Sequence, residues 1–430
     1  MFSELITRQR VYNMSKPECF IADNGLRTVV QEDRALLHQS FALCVDTSQN
    51  PASDLNYPHF LEHILIRDTA QFEGQSYNQL VNESANGSGA ATYPETIIFT
   101  LDCVPNAVHR LFPQLLETLA EPRLGEEAIE RERTVIASEM RERAANAESG
   151  LWERAWNNHH FTHTAVQEAA GLGEIDRDKL RLFLERTFTP ANLLVVTAGP
   201  TPVKDIAHYI TESPFQPSVL GCHGVTTRDF TAPLLPIVTG CETEQTTKYL
   251  QVINTSTPPE ASLVFDQLNN TERAGSFWEK AINEIGVFSA GLYPYRYPYD
   301  ANARHYVVTE GEVDNIRKVH ELSAAILGRW VDQPPSAQAL DHVKLSLRNQ
   351  AIFQGEGPHG RGQPGVATSR IVAQLPQFPA IASIEEQLDK IDRVTPEDIK
   401  NLAQTLLEAP RSYSLVSSDD AVERMSGYLS

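Results

Sequence analysis

Residues 58–63 read Pro58-His59-Phe60-Leu61-Glu62-His63, an H-x-x-E-H pattern that starts at His59. Residues four apart lie one above the other on a helix face. The imidazoles of His59 and His63 can therefore converge on one metal ion. Glu62 borders the same face and can reach a water on that metal without ligating it. Two neutral nitrogen ligands, an open coordination position and a carboxylate base are what a zinc hydrolase requires. The pattern is the inverse of the H-E-x-x-H zinc motif. The plainer alternative is a pair of surface histidines on an amphipathic helix. A third ligand in a suitable context separates the two.

Residues 125–143, GEEAIERERTVIASEMRER, supply candidates. The run is rich in helix formers and holds no proline. Glu132 and Glu139 share one face two turns apart, along the stripe of Ile129, Val135, Ile136 and Met140. A carboxylate beside an apolar stripe is costly to bury without a partner. A metal at His59 and His63 would be such a partner. The alternative is that both are solvated, as the charges at Glu126, Glu127, Glu130 and Glu142 are expected to be.

H-x-x-E-H at 59–63 followed by E-x6-E at 132–139 resembles the insulinase/pitrilysin metallopeptidases, which include the mitochondrial processing peptidases. The resemblance implies His59, His63 and Glu139 as ligands of one Zn2+ per chain. It implies Glu62 as the catalytic base and Glu132 as a supporting carboxylate that holds a ligand or a helix in place. It implies a zinc-dependent endopeptidase that cleaves short or unfolded peptides in an enclosed chamber between two clam-shell halves. Gly89-Ala90-Ala91-Thr92 stands where the family has N-A-x-T on a strand lining the substrate cleft, so these four are the expected substrate-binding residues. Glycine replaces the usual asparagine there, unless Asn86 serves with a shifted register. The family's second-half arginine–tyrosine segment corresponds to residues 275–295. Ser276 and Ile282 take the arginine positions, and Tyr293 fits only with a register shift. Family members of this length pair with a second chain. The resemblance therefore implies a homodimer, or a heterodimer with a related chain lacking the zinc motif. Two rival readings are a non-catalytic core-type subunit of the same fold and a metal-free peptide-binding scaffold.

Composition sets the outer limits. The chain has 430 residues, 41% hydrophobic and 21% charged, ordinary for a globular protein of about two to three domains. The formal charge of −20 argues against nucleic-acid binding, which needs basic patches, and serves solubility. There is no apolar run long enough for a membrane span. The opening MFSELITRQRVYNMSK lacks a secretory apolar core, so a cytoplasmic location is expected. Five widely spaced cysteines with no C-x-x-C read as thiols of a reducing compartment.

Along the chain, Asn24-Gly25 between apolar runs reads as a hairpin turn. Residues 40–48 and 96–104 read as strands, and 106–120 as an amphipathic helix. Residues 82–95 read as turn-rich. Helix, turn and strand follow over 177–199. Pro214, Pro217, Gly221, Gly224, Pro233 and Pro236 mark a linker. The expected division is a zinc-binding catalytic domain at 1–213, a linker at 214–240, and a second domain without the motif at 241–430. The second half repeats the first. Val45-Asp46-Thr47-Ser48 and Ile253-Asn254-Thr255-Ser256 close similar strands. The spacing from Asp178 to Pro190 recurs from Asp398 to Pro410. Thr395-Pro396-Glu397-Asp398 reads as a capped helix start. The expected fold is α+β: two similar domains, each a mostly antiparallel sheet with helices on one face. His159, His160 and His163 read as part of a polar loop. Residues 355–365 read as a flexible loop without a phosphate-binding ending.

Overall fold

The computed structural model describes residues 16–34, 36–47, 54, 56–67, 81–82, 85–93, 96–146, 151, 165–217, 237–240, 246–270, 276–295, 303–356, 364–374, 378–418, 421 and 423–425. The first half contains β1 (Glu18–Ile21), β2 (Arg27–Glu32), β3 (Gln39–Asp46), α1 (Asn56–Arg67), β4 (Ala85–Tyr93), β5 (Thr96–Cys103), α2 (Val108–Ala120), α3 (Glu126–Ala145), α4 (Ala165–Gly171), α5 (Arg177–Thr187), β6 (Leu193–Gly199) and α6 (Val203–Thr211). The second contains β7 (Ile237–Gly240), β8 (Thr247–Thr257), α7 (Pro259–Asn269), α8 (Phe277–Glu279), β9 (Ser289–Tyr295), β10 (Ala303–Gly311), α9 (Val313–Asp332), α10 (Ala337–Glu356), α11 (Pro364–Val372), α12 (Ile384–Asp392), α13 (Pro396–Glu408) and β11 (Arg411–Ser417). No helix among the described residues is long and apolar enough to cross a membrane.

Two compact units result. Unit 1 gathers residues 1–140, 167–226 and 350–387, and unit 2 gathers 141–166, 227–349 and 388–430. Each unit is discontinuous in sequence.

Unit 1 is built on a sheet of order β1-β2-β6-β3-β5-β4, antiparallel except for the parallel β2–β6 pair. The β1–β2 turn closes through Gly25 N–H to Ala22 O at 2.8 Å, with Gly25 at φ 87°. That backbone conformation favours glycine. Strands β3 and β6 are buried along their whole length. A strand buried throughout has both faces covered. On one face Phe41 stacks on Phe112 of α2, ring centroids 4.2 Å apart. On the other, the Thr368 hydroxyl of α11 lies 2.9 Å from the Ser40 hydroxyl. Ser40, Ala42, Cys44 and Ala198 share that second face, and their small side chains let α11 lie close. The central strands thus carry a helix on the face that the expected single helical layer leaves bare, and it comes from residues 350–387, far along the chain.

The stretch at 82–95, read from composition as turn-rich, contains β4. This strand pairs with β5 from Ala85 opposite Cys103 to Tyr93 opposite Thr96, with an irregularity at 85–87. Ladder hydrogen bonds override the poor strand propensity of Gly87 and Gly89. β4 lies at the end of the sheet order, so one of its edges is unpaired within the sheet.

Unit 2 is built on a sheet of order β7-β11-β8-β10-β9, with one parallel pair, β7–β11. Residues 237–240, at the end of the Pro/Gly-rich stretch, are its strand β7. Helix α13 starts at the expected place, with Thr395 and Asp398 forming a reciprocal capping box. His305 on β10 is wholly buried, and burial pushes its pKa down to about 3. Cys19, Cys44 and Cys103 form no disulfide among the described residues. His159, His160, His163, Asn86's side chain and residues 357–363 lie outside the described set.

Candidate metal centre

Helix α1 divides along its length. Pro58, Phe60, Leu61, Ile64 and Leu65 are buried and fix the helix on the sheet, where it packs on β4 and β5. His59, Glu62 and His63 fall on the flank, only partly exposed. The two imidazoles stand edge to face with centroids 4.9 Å apart. Helix α3 buries Ala128, Ile129, Glu132, Ile136 and Met140. The same periodicity that seats these apolar residues carries Glu132 and Glu139 toward α1.

His59 Nε2 lies 3.7 Å from Glu139 Oε1, and His63 Nε2 lies 3.3 Å from Glu139 Oε2. One ligand atom from each of the three residues lies within 4.8 Å of the others. The expected ligands are thus brought together. Glu132, completely buried, places Oε2 3.4 Å from His63 Nδ1. The contact is close but not aligned as a hydrogen bond, for His63 Nδ1 has no hydrogen-bond partner among the described residues. Arg67 Nη1 at 3.1 Å and Arg131 Nε at 3.2 Å offset the Glu132 charge. Both arginines are about half exposed, so water weakens these pairs.

Glu62 is also held in place. Thr92 Oγ1 on β4 donates to Glu62 Oε2 at 2.6 Å. Of the four residues expected to bind substrate, Thr92 therefore touches the Glu62 carboxylate. Gly89, Ala90 and Ala91 lie on the same edge strand, partly exposed.

One residue of the centre has no counterpart in the sequence reading. His59 Nδ1 lies 2.5 Å from Oε1 of Glu168 on α4, with Glu168 only 7% exposed. Burial alone would lower the His59 pKa. The Glu168 hydrogen bond and the charges of Glu168, Glu139 and Glu62 outweigh it, and the net shift is upward. Nothing in the spacing marks Glu168, 109 positions from His59. The available signal is chemical: a single charge in the small-residue run Ala165-Val166-Gln167-Glu168-Ala169-Ala170-Gly171.

This set fits zinc. Two imidazole nitrogens and a carboxylate oxygen converge, and each imidazole turns its second nitrogen toward a further carboxylate. Four carboxylates around two imidazoles leave an excess of negative charge that a divalent cation would neutralise.

The segment expected to carry the arginine–tyrosine pair forms α8, a π-helical turn at Lys280–Ile285, Gly286 at φ 81°, and β9. Ser276 caps α8 through its hydroxyl. The Tyr293 ring lies over Gly291, so closely that a Cβ there would stand 1.9 Å from it.

Both units carry an α+β sheet, one of them with a helix-borne H-x-x-E-H site, and comparison with known proteins finds the following likenesses. Residues 42–168 match the family described as Insulinase (Peptidase family M16). The chain is 24% identical over 197 residues to the mitochondrial-processing peptidase subunit beta of Bos taurus, covering 44% of this chain and 40% of that protein. It is 25% identical over 202 residues to the Mus musculus subunit, again 44% and 40%. The match thus spans about two fifths of these relatives' length. Among solved structures, a protease from Helicobacter pylori superposes with a TM-score of 0.77 at 14% identity, covering 93% of this chain and 99% of that one. A peptidase M16 inactive domain from Pseudomonas fluorescens gives 0.74 at 13%, covering 94% and 98%. At these identities the structures show a shared fold.

Proposed function

We propose that the chain is a zinc-dependent endopeptidase acting on short or unfolded peptides. The observation that carries this is the convergence of His59, His63 and Glu139 with Glu62 beside them. A zinc ion held by those three residues would supply a Lewis acid that polarises a peptide carbonyl and brings the pKa of water to about 7. Glu62, steadied by Thr92, takes a proton from the attacking water and returns it to the leaving amine. Glu132 backs His63 from the buried side. The unpaired edge of β4 offers backbone hydrogen bonds to an extended peptide, and a chain locked in its own fold cannot use them. An intact Glu62 favours this reading over a non-catalytic subunit of the same fold.

The reading includes a second chain. The relatives above are named as beta subunits, and positions 276 and 282 hold serine and isoleucine where the resemblance leads to arginine. A partner that supplies such groups would raise the rate.

The test is hydrolysis of unfolded peptides by the purified chain, alone and with a related chain lacking the motif. The expected result is cleavage that a chelator stops, slow alone and faster with the partner. Full zinc occupancy with no cleavage in either case would leave the non-catalytic subunit as the correct reading.

A further inference from the structure

Helix α4 meets helix α1 at two matched points. Glu168 and Gly171 are three apart on α4, and Asn56 and His59 are three apart on α1. Glu168 Oε1 meets His59 Nδ1 at 2.5 Å. At Gly171 the approach is so close that a Cβ would lie 1.8 Å from Asn56 Nδ2. The two contacts set α4 against α1 with the Glu168 carboxylate at His59.

We propose that Glu168 is the positioning residue of the metal centre, selecting through His59 Nδ1 which imidazole nitrogen is left free for the metal. The proposal rests on the zinc reading above. A neutral imidazole carries its proton on one nitrogen or the other, and the partner of one nitrogen decides the state of the other. An ionised carboxylate only accepts hydrogen bonds. Facing Glu168, His59 therefore holds its proton on Nδ1 and turns the Nε2 lone pair toward Glu139. A buried carboxylate behind the ring also makes Nε2 a more basic ligand. His63 is treated differently: its Nδ1 lies 3.4 Å from Glu132 without an aligned hydrogen bond. The orienting duty is thus unequal, and Glu168 carries more of it than Glu132.

The experiment uses the full chain with 15N-labelled histidine. The His59 tautomer is read by NMR at pH 8 in metal-free protein, and zinc affinity by competition with a chelating dye. Native His59 should show the Nδ1–H tautomer. Glu168→Ala should lose it and bind zinc roughly 10–100-fold more weakly, as loss of such a partner typically does. Glu168→Gln keeps an acceptor without the charge, so it should keep the tautomer and lose only several-fold in affinity. Should the alanine variant fail to fold by circular dichroism, the glutamine variant carries the test, and native affinity there would overturn the proposal. So would an Nε2–H tautomer in the native protein, or native zinc affinity in a folded Glu168→Ala. If the native protein binds no zinc, the zinc reading fails, and the tautomer alone decides the role of Glu168.

Discussion

The two units use one scaffold for different ends. Their strand orders correspond: β2-β6-β3-β5-β4 in unit 1 and β7-β11-β8-β10-β9 in unit 2, each with its one parallel pair in the same place. Helix α1 follows β3 as α7 follows β8. Their buried positions match in order: Phe60, Leu61, Ile64 and Leu65 against Val264, Phe265, Leu268 and Asn269. That match sets Leu263 against His59, Asp266 against Glu62 and Gln267 against His63. Likewise Ile129 and Glu132 of α3 fall against Leu340 and Val343 of α10, with Glu132 and Val343 both fully buried. Where unit 1 joins its helix pair through His63 and two glutamates, unit 2 joins its pair through Gln267 Nε2 donating to Ser346 Oγ at 3.4 Å. The inward faces exchange one apolar residue for another except at Leu65 against Asn269 and Glu132 against Val343. The outer faces differ in chemistry. A valine in the place of Glu132 shows that the scaffold does not need a buried carboxylate there, and replacing buried charge by an apolar residue often stabilises. The scaffold alone therefore does not account for the Glu132 carboxylate of unit 1.

The sharpest way to break this comparison is at Glu62 and its counterpart. Glu62→Gln should keep zinc and fold while peptide hydrolysis falls about 10²–10⁴-fold, the usual worth of a general base. Asp266→Asn should leave hydrolysis unchanged. Zinc loss in Glu62→Gln, measured by elemental analysis, would move Glu62 among the ligands and undo its role as base. Next in size is the split within α3. Glu139→Gln should lower zinc affinity by about tenfold or more, and Glu132→Gln by less. Equal losses in a dye-competition titration would reverse the two assignments.

How far the sequence reveals this division depends on how local each signal is. The histidine–glutamate face was legible because helix periodicity and ligand chemistry coincide over a few residues. The turn at Asn24-Gly25 and the capping box at Thr395–Asp398 were legible for the same reason. Three features were not. β4 is held by pairing with β5 against its glycine content. The packing of α11 on β3 and β6 rests on small side chains at Ser40, Ala42 and Ala198, which any strand can contain. Glu168 reaches His59 through tertiary packing alone, and no periodicity joins residues so far apart.

A smaller effect probes how tightly α4 is docked on α1, the helix of His59 and His63. Gly171→Ala should cost about 1–3 kcal/mol of unit 1 stability, because its methyl group meets Asn56. Gly173→Ala should cost much less, since its Cβ would enter open space. Denaturant melts of the two variants decide this, and equal stabilities would count against the close docking.

The smallest effect belongs to unit 2, whose fully buried titratable histidine is His305. Its unfolded pKa is about 6.5, and burial holds the folded value at about 3. The unfolded state thus binds the proton more readily. The stability contribution is complete above about pH 6.5 and is lost as pH falls toward 3. Between pH 7 and pH 5.5 the loss should be about 1 kcal/mol. His305→Gln should flatten that part of the stability–pH curve, and an unchanged slope would place the acid sensitivity elsewhere.

The central claim, that the outer face of unit 1 holds one metal ion and that of unit 2 none, is tested most directly by the zinc content of the purified full chain. About one zinc per chain is predicted for the native protein and for Asp266→Asn, with nearly none once His59→Gln and His63→Gln are combined. A native chain that takes up no zinc after reconstitution and dialysis, or a double variant that keeps its full complement, would contradict the account.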